Sequence, residues 1–202
     1  MQRRYGPEYG IPTGRQIELD AFGPTQVIDI KLLAPILSSE TLRTIALIKQ
    51  GQQLPKEQVQ RCCQEIKANK KTLFNFVKNS QEPNYDPTNP RRGTARDLRV
   101  GIIDELNLTE AEADRVKIFS ATQTPLDIIG IDAFIAWQPK PGDREYFVTL
   151  DITGRLEEKT GKEADIVFSE LPDPEENEEA YLEEIEEIAK NAAQILRKFA
   201  KL

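Results

Sequence analysis

Pro125-Leu-Asp-Ile-Ile-Gly-Ile-Asp132-Ala-Phe-Ile-Ala-Trp137 and, across a polar gap, Tyr146-Phe-Val-Thr-Leu-Asp151-Ile-Thr153 form the stretch that decides the fold. Both halves are rich in β-branched and aromatic residues, and Pro139, Pro141 and Gly142 punctuate the gap. The pattern predicts two strands, about Ile128 to Trp137 and Tyr146 to Thr153, joined by a turn. Each holds one carboxylate in an otherwise apolar run, Asp132 in the first and Asp151 in the second. Mid-strand Asp is disfavoured by propensity and costly to bury without a partner.

Strand geometry lets the two acids meet. Side chains alternate faces, so Asp132 goes with Phe134 and Ala136, and Asp151 with Thr149 and Thr153. A turn that sets Gln138 opposite Glu145 sets Asp132 opposite Asp151, with Cβ atoms roughly 5 Å apart. Carboxylates at that spacing repel unless a cation or proton lies between them. The expectation is a shared metal ion. A register shifted by one residue would put the acids on opposite faces.

The absence of histidine narrows the chemistry. It removes Ser-His-Asp and Cys-His catalysis and every His-based metal site. A hydrolytic site must then rest on carboxylates, Lys, Tyr or a hard cation held by oxygen. Cys62 and Cys63 are adjacent and lack zinc-type spacing, so they read as one core residue and one bystander. The formal net charge of −7 argues against non-specific nucleic-acid binding, yet Arg91, Arg92, Arg96 and Arg99 cluster ahead of the central strands. No apolar run approaches the roughly 20 residues of a membrane span. The basic start Met1-Gln-Arg-Arg lacks a following apolar stretch, which predicts a cytoplasmic protein without a secretory signal.

Outward from the hairpin, residues 1–80 read as an N-terminal elaboration. Gly and Pro recur through residues 1–30, predicting an extended lead-in with a short strand at Val27–Ile30. Helical spacing follows from Lys31 to about Asn79, with Gly51 as a stop and Pro55 opening a helix. Residues 81–93, with three prolines, read as a linker or exposed loop. Residues 94–202 read as the α/β core. There, Thr94 to Leu106 predicts a helix capped by Thr94, with Glu105 near its apolar stripe. Thr109-Glu-Ala-Glu predicts a second capped helix reaching about Phe119. After a polar loop, Ala164–Phe168 predicts another strand, and Glu175 to Ala200 a long amphipathic helix. A helix flanking the sheet explains its charged face; docking on a partner protein or a second copy is the alternative.

The order of helix with acid, strand with Asp, hairpin, strand with Asp, short strand and helix resembles the core of the PD-(D/E)XK nuclease superfamily. Gly130-Ile-Asp132-Ala is similar to that family's second-strand element, and Val148-Thr-Leu-Asp151-Ile-Thr153 to its third, except that Thr153 stands where the family has Lys. The resemblance implies an α/β (α+β) fold, a small mixed sheet flanked by helices, restriction-endonuclease-like, with an N-terminal helical elaboration. It implies hydrolysis or binding of DNA or another nucleic acid with Mg²⁺ or Mn²⁺. Asp132, Asp151 and Glu105 would be the metal ligands, with Asp132, Asp151 and Lys162 catalytic. Lys162 would replace the missing lysine, with Lys159 and Arg155 behind it, and the four arginines would contact the backbone. The alternative is a nuclease fold without activity, serving in binding or assembly.

Overall fold

The computed structural model describes residues 14–25, 29–153 and 163–201. Four strands, β1 (Val116–Ser120), β2 (Ala133–Trp137), β3 (Tyr146–Thr153) and β4 (Ile166–Ser169), form one sheet in the order β1-β2-β3-β4. β1 and β3 run antiparallel to β2, and β4 runs parallel to β3. Helices cover both faces, so the mixed α/β class expected from the sequence is observed.

Strand alternation sorts the core into two layers. Ile118, Ile135, Val148 and Leu150 point to one face, where they meet α5 (Gly93–Glu105) and α8 (Glu178–Ala200). Phe119, Phe134 and Ala136 point to the other, against α2 (Ser39–Lys49), α3 (Lys56–Ala68) and α4 (Lys70–Lys78). Phe134 is the hub of that second layer, with ring centroids 4.7 Å from Phe74 and 5.2 Å from Phe119. Glu65 of α3 ties this layer together by accepting from the Ser38 N–H and the Ser38 and Thr41 hydroxyls at the start of α2.

β1 is an edge strand, and residues 81–93 lie along it. Ile118 N–H donates to Pro87 O, the Tyr85 hydroxyl donates to Ile118 O, and Gln81 Nε2 donates to Ser120 O. Covering an edge this way removes a template for pairing with another chain. At the far end, α8 begins at Asn177, whose Oδ1 accepts from Ala180 N–H. Its acids at Glu178 and Glu179 and its bases at Arg197 and Lys198 suit the helix dipole.

Several local expectations are corrected. Residues 14–22, expected as extended, form helix α1 (Gly14–Phe22), because Ile17, Ala21 and Phe22 gain a buried apolar stripe against the core. Ile30 starts a 3-10 turn with Asp29 accepting from Lys31 N–H, and not a strand; residues 26–28 lie outside the described set. The capping box at Thr109 and Glu112 forms, but its helix α6 spans only Glu110–Ala113. The β-branched run at Val116 pairs with β2 instead of extending it. Thr94 sits inside α5, whose N-cap is Arg92. The first central strand starts at Ala133, because residues 125–128 form the one-turn helix α7 (Pro125–Ile128).

α5 and α8 approach closely at Gly101. A Cβ there would lie 2.9 Å from the Ala189 Cβ, an atom fixed to the α8 backbone that cannot rotate aside. Gly101→Ala gains about 1 kcal/mol of helix propensity but incurs overpacking of about 1–3 kcal/mol. Urea unfolding is expected to show net destabilisation of about 1 kcal/mol. A variant as stable as wild type would rule this contact out.

Candidate metal centre

β1, β3 and β4 end, and β2 begins, at one end of the sheet. Asp132 sits there, one residue before β2. Its backbone is held from both sides: its N–H donates to Leu150 O at 2.8 Å, and its carbonyl accepts from Ala121 N–H at 2.7 Å. Its Oδ2 accepts from Ile152 N–H at 2.8 Å, and the residue is 2% exposed. The observed pairing of Trp137 with Tyr146 is the register that sets Gln138 against Glu145. That pairing ends at Ala133 with Leu150; beyond it the Asp132 N–H bonds the Leu150 carbonyl, one residue short of Asp151, which is 1% exposed.

A second carboxylate arrives from the turn before β2. Thr124 caps α7 by accepting from Leu126 N–H, and Pro125 pre-sets the first helical position. Asp127, two residues on, accepts from Gln123 N–H at 2.7 Å. Gln123 adopts a left-handed backbone (φ 65°), and Gly130 (φ 76°) then turns the chain back toward Asp132.

A third carboxylate comes from α1. Gly23 ends that helix with φ 79°, and its carbonyl accepts from Ser120 Oγ and Thr122 Oγ1 at 2.6 and 2.8 Å. Thr25 Oγ1 donates to Thr122 O. These bonds clamp the C-terminal end of α1 onto the end of β1, and Phe22 packs edge-to-face on Phe168 of β4. The clamp brings Glu18 to the sheet end. One oxygen from each of Glu18, Asp127 and Asp132 lies within 4.8 Å of the other two.

Two ionised carboxylates at that separation repel by about 3 kcal/mol at an effective dielectric of about 20. Such a trio favours positive charge nearby, and Lys49, at the end of α2, contributes some. Its Nζ donates to Gln123 O at 2.7 Å, so one residue, Gln123, bonds both Lys49 and Asp127. Lys49 is exposed along its length, but the protein around its ammonium lowers its pKa by desolvation; attraction to Asp127 opposes this, and repulsion from Arg15 adds to it. All-carboxylate donors suit a hard divalent cation such as Mg²⁺ or Mn²⁺.

No protein-family model, curated protein or solved structure matches the chain.

Of the residues expected from sequence, Asp132 lies in this group, and Asp151 and Glu105 do not. Glu105 is the last residue of α5, where its carbonyl accepts from Arg197 Nη2 of α8. Thr153 is buried at the end of β3, alongside Ser169 of β4. Lys162, Lys159 and Arg155 lie outside the described residues. Arg99 donates to the Val116 and Ala113 carbonyls and pins α5 to the start of β1, and Arg96 pairs with Asp97. Arg91 and Arg92 are exposed.

Glu18, Asp127 and Lys49 escaped the sequence reading. Thr124-Pro125-Leu-Asp127 carries a legible signal, an N-cap followed by proline at the first helical position and an early acid. Ile17 and Ala21 ahead of Gly23 mark a short helix, but the surrounding glycines and prolines mask it.

The Lys49–Asp127 attraction is testable. Asp127→Asn is expected to lower the Lys49 pKa further below the ordinary lysine value, read by NMR titration of its side chain. A base whose pKa falls on folding binds fewer protons in the folded state, so stability rises as pH climbs from the folded pKa toward the ordinary lysine value. An unchanged Lys49 titration in Asp127→Asn would remove the contact.

Proposed function

We propose that the chain is a metal-dependent, nuclease-like protein that hydrolyses nucleic-acid phosphodiesters. The observation that carries this reading is the trio of Glu18, Asp127 and Asp132 within 4.8 Å of one another, with Asp132 buried at the start of the second strand. A mixed sheet between helical layers, with Asp132 ahead of β2 and Asp151 on β3, also supports a PD-(D/E)XK-like arrangement. On this reading the acid supplied by a helix is Glu18 of α1 in place of Glu105.

A divalent Mg²⁺ or Mn²⁺ held by Glu18, Asp127 and Asp132 would supply a lowered water pKa and neutralise charge on the phosphate. The protein's own groups do the rest. Ile152 N–H and Gln123 N–H fix the carboxylates of Asp132 and Asp127, so neither must reorganise when a phosphate arrives. Lys49, anchored on the Gln123 carbonyl, places positive charge beside the carboxylates and steadies charge that builds on phosphate oxygens. Asp151, on the same face of the sheet as Thr149, borders this end from β3. Lys162 is the second candidate cation.

Thr153 favours a second reading. A buried threonine at the position of the family's lysine fits a nuclease fold that has kept its acids and serves in binding or assembly without cleavage. Metal titration separates the two readings.

With Mg²⁺ at a hundredfold excess over its dissociation constant, linkage predicts stabilisation of about 2.7 kcal/mol. For a chain of this size that is a rise in Tm of about 5–10 °C. Asp132→Asn should abolish that rise together with Mn²⁺- or Mg²⁺-dependent cleavage of a labelled oligonucleotide. Cleavage retained in both Asp132→Asn and Asp127→Asn would refute the hydrolytic reading. Stabilisation by metal without any cleavage would favour the inactive one.

A further inference from the structure

We propose that the cavity beneath Arg91 and Arg92 is a phosphate subsite that holds a polynucleotide strand beside the carboxylate trio. The inference rests on the nuclease-like reading and adds to it the class of substrate, a polymer in preference to a free nucleotide.

The cavity has a volume of about 340 Å³, and its wall includes Phe22, Gly23, Tyr85, Arg91 and Arg92. That volume falls in the range that receives small ligands. Arg91 and Arg92 are exposed, and neither pairs with a carboxylate among the described residues. This sets them apart from Arg96, which pairs with Asp97, and from Arg99, whose donors bond the Val116 and Ala113 carbonyls. A guanidinium offers a planar fork of donors that fits phosphate oxygens two at a time.

The wall is rigid for identifiable reasons. The Arg92 stem lies along Gly23, where an added Cβ would meet its Cγ and Nε at 3.5 Å. Gly23 is itself fastened to β1 through Ser120 and Thr122. The Tyr85 hydroxyl donates to the Ile118 carbonyl, and burial pushes its pKa up, so it serves as a fixed neutral wall. Glu82, exposed on the same rim, opposes an anion and marks how binding could be strengthened.

Position links the cavity to the trio. Glu18 and Phe22 are one turn apart on α1, about 6 Å along the helix axis. A strand rising about 3.4 Å per nucleotide covers that step in about two nucleotides. A phosphate held by Arg91 and Arg92 would then leave a neighbouring phosphodiester toward the carboxylates, whereas a mononucleotide has no second phosphate to place there.

The test is fluorescence anisotropy with a labelled single-stranded DNA 12-mer in EDTA, where cleavage cannot intervene. Wild type should bind, and Arg91→Ala/Arg92→Ala should bind at least about tenfold more weakly. The slope of log affinity against log salt should fall by about 0.7 for each phosphate no longer neutralised. Arg91→Lys/Arg92→Lys should keep most of the slope, and Glu82→Gln should tighten binding. Both positions are exposed, so Tm should not move, and circular dichroism checks the fold. Equal binding by wild type and the alanine pair, or no binding by wild type, overturns the subsite. A mononucleotide that competes as well as an unlabelled 12-mer overturns the polymer. Asp132→Asn should still bind the 12-mer, so a wild type that binds it but shows no metal-dependent cleavage refutes the hydrolytic reading and leaves the subsite standing.

Discussion

Three carboxylates that would repel one another are held at one end of a four-stranded sheet, and the surrounding structure is arranged to keep them there. Glu18, Asp127 and Asp132 come from a helix, a one-turn helix and the start of a strand. Each would move apart if its backbone were free. None is free: Asp132 is locked by bonds to Ala121, Leu150 and Ile152, and Asp127 by Gln123. The end of α1, one turn beyond Glu18, is fixed by the hydroxyls of Ser120 and Thr122 on the Gly23 carbonyl. Hydrogen bonds to charged groups contribute about 1.5–3 kcal/mol each, comparable with the repulsion of one pair at an effective dielectric of about 20. Preorganisation of this kind gives a cation a ready-made set of oxygen donors.

The N-terminal helices serve both the core and this end of the sheet. α4 covers the face bearing Phe134 with Phe74, and α2 ends so that Lys49 reaches Gln123. Residues 81–93 close the edge at β1 and then deliver Arg91 and Arg92 to the cavity beside Gly23. The proposed centre and the proposed subsite therefore share the segment 22–25. Its left-handed glycine, the hydroxyls that bind its carbonyl and the Phe22 ring on Phe168 form one mechanical unit. No helix among the described residues is long and apolar enough to cross a membrane, in keeping with the polar composition.

Much of the fold was legible because its signals are local. β-branched and aromatic residues in 133–137 and 146–153, with prolines and a glycine between them, marked the hairpin, while only the observed pairing of Trp137 with Tyr146 chose its register. Gly51, Pro55 and the periodic apolar residues marked α2 and α3, and dipole-matched charges marked α8. β1 was harder. Val116-Lys-Ile-Phe follows a capping box that forms, and only pairing with β2 decides that the helix stops at Ala113. α1 was hidden for a similar reason, since nine residues between glycines hold a helix only with a core to bury Ile17 and Phe22.

The sequence by itself determined the mixed α/β class, the two strands of the hairpin and Asp132 as an acid in an apolar run that needs a partner, because strand and turn signals act over a few residues; the register was left open between two faces. Which acids surround Asp132 was decided by tertiary structure alone. Glu18 lies more than a hundred residues away in the chain, and no local rule relates it to β2. Its approach depends on the hydroxyl clamp at Gly23, a contact between segments whose sequences carry no mark of each other. Glu105 had the better local pattern, but α5 turns its end toward α8 because the Gly101–Ala189 contact fixes where those helices cross.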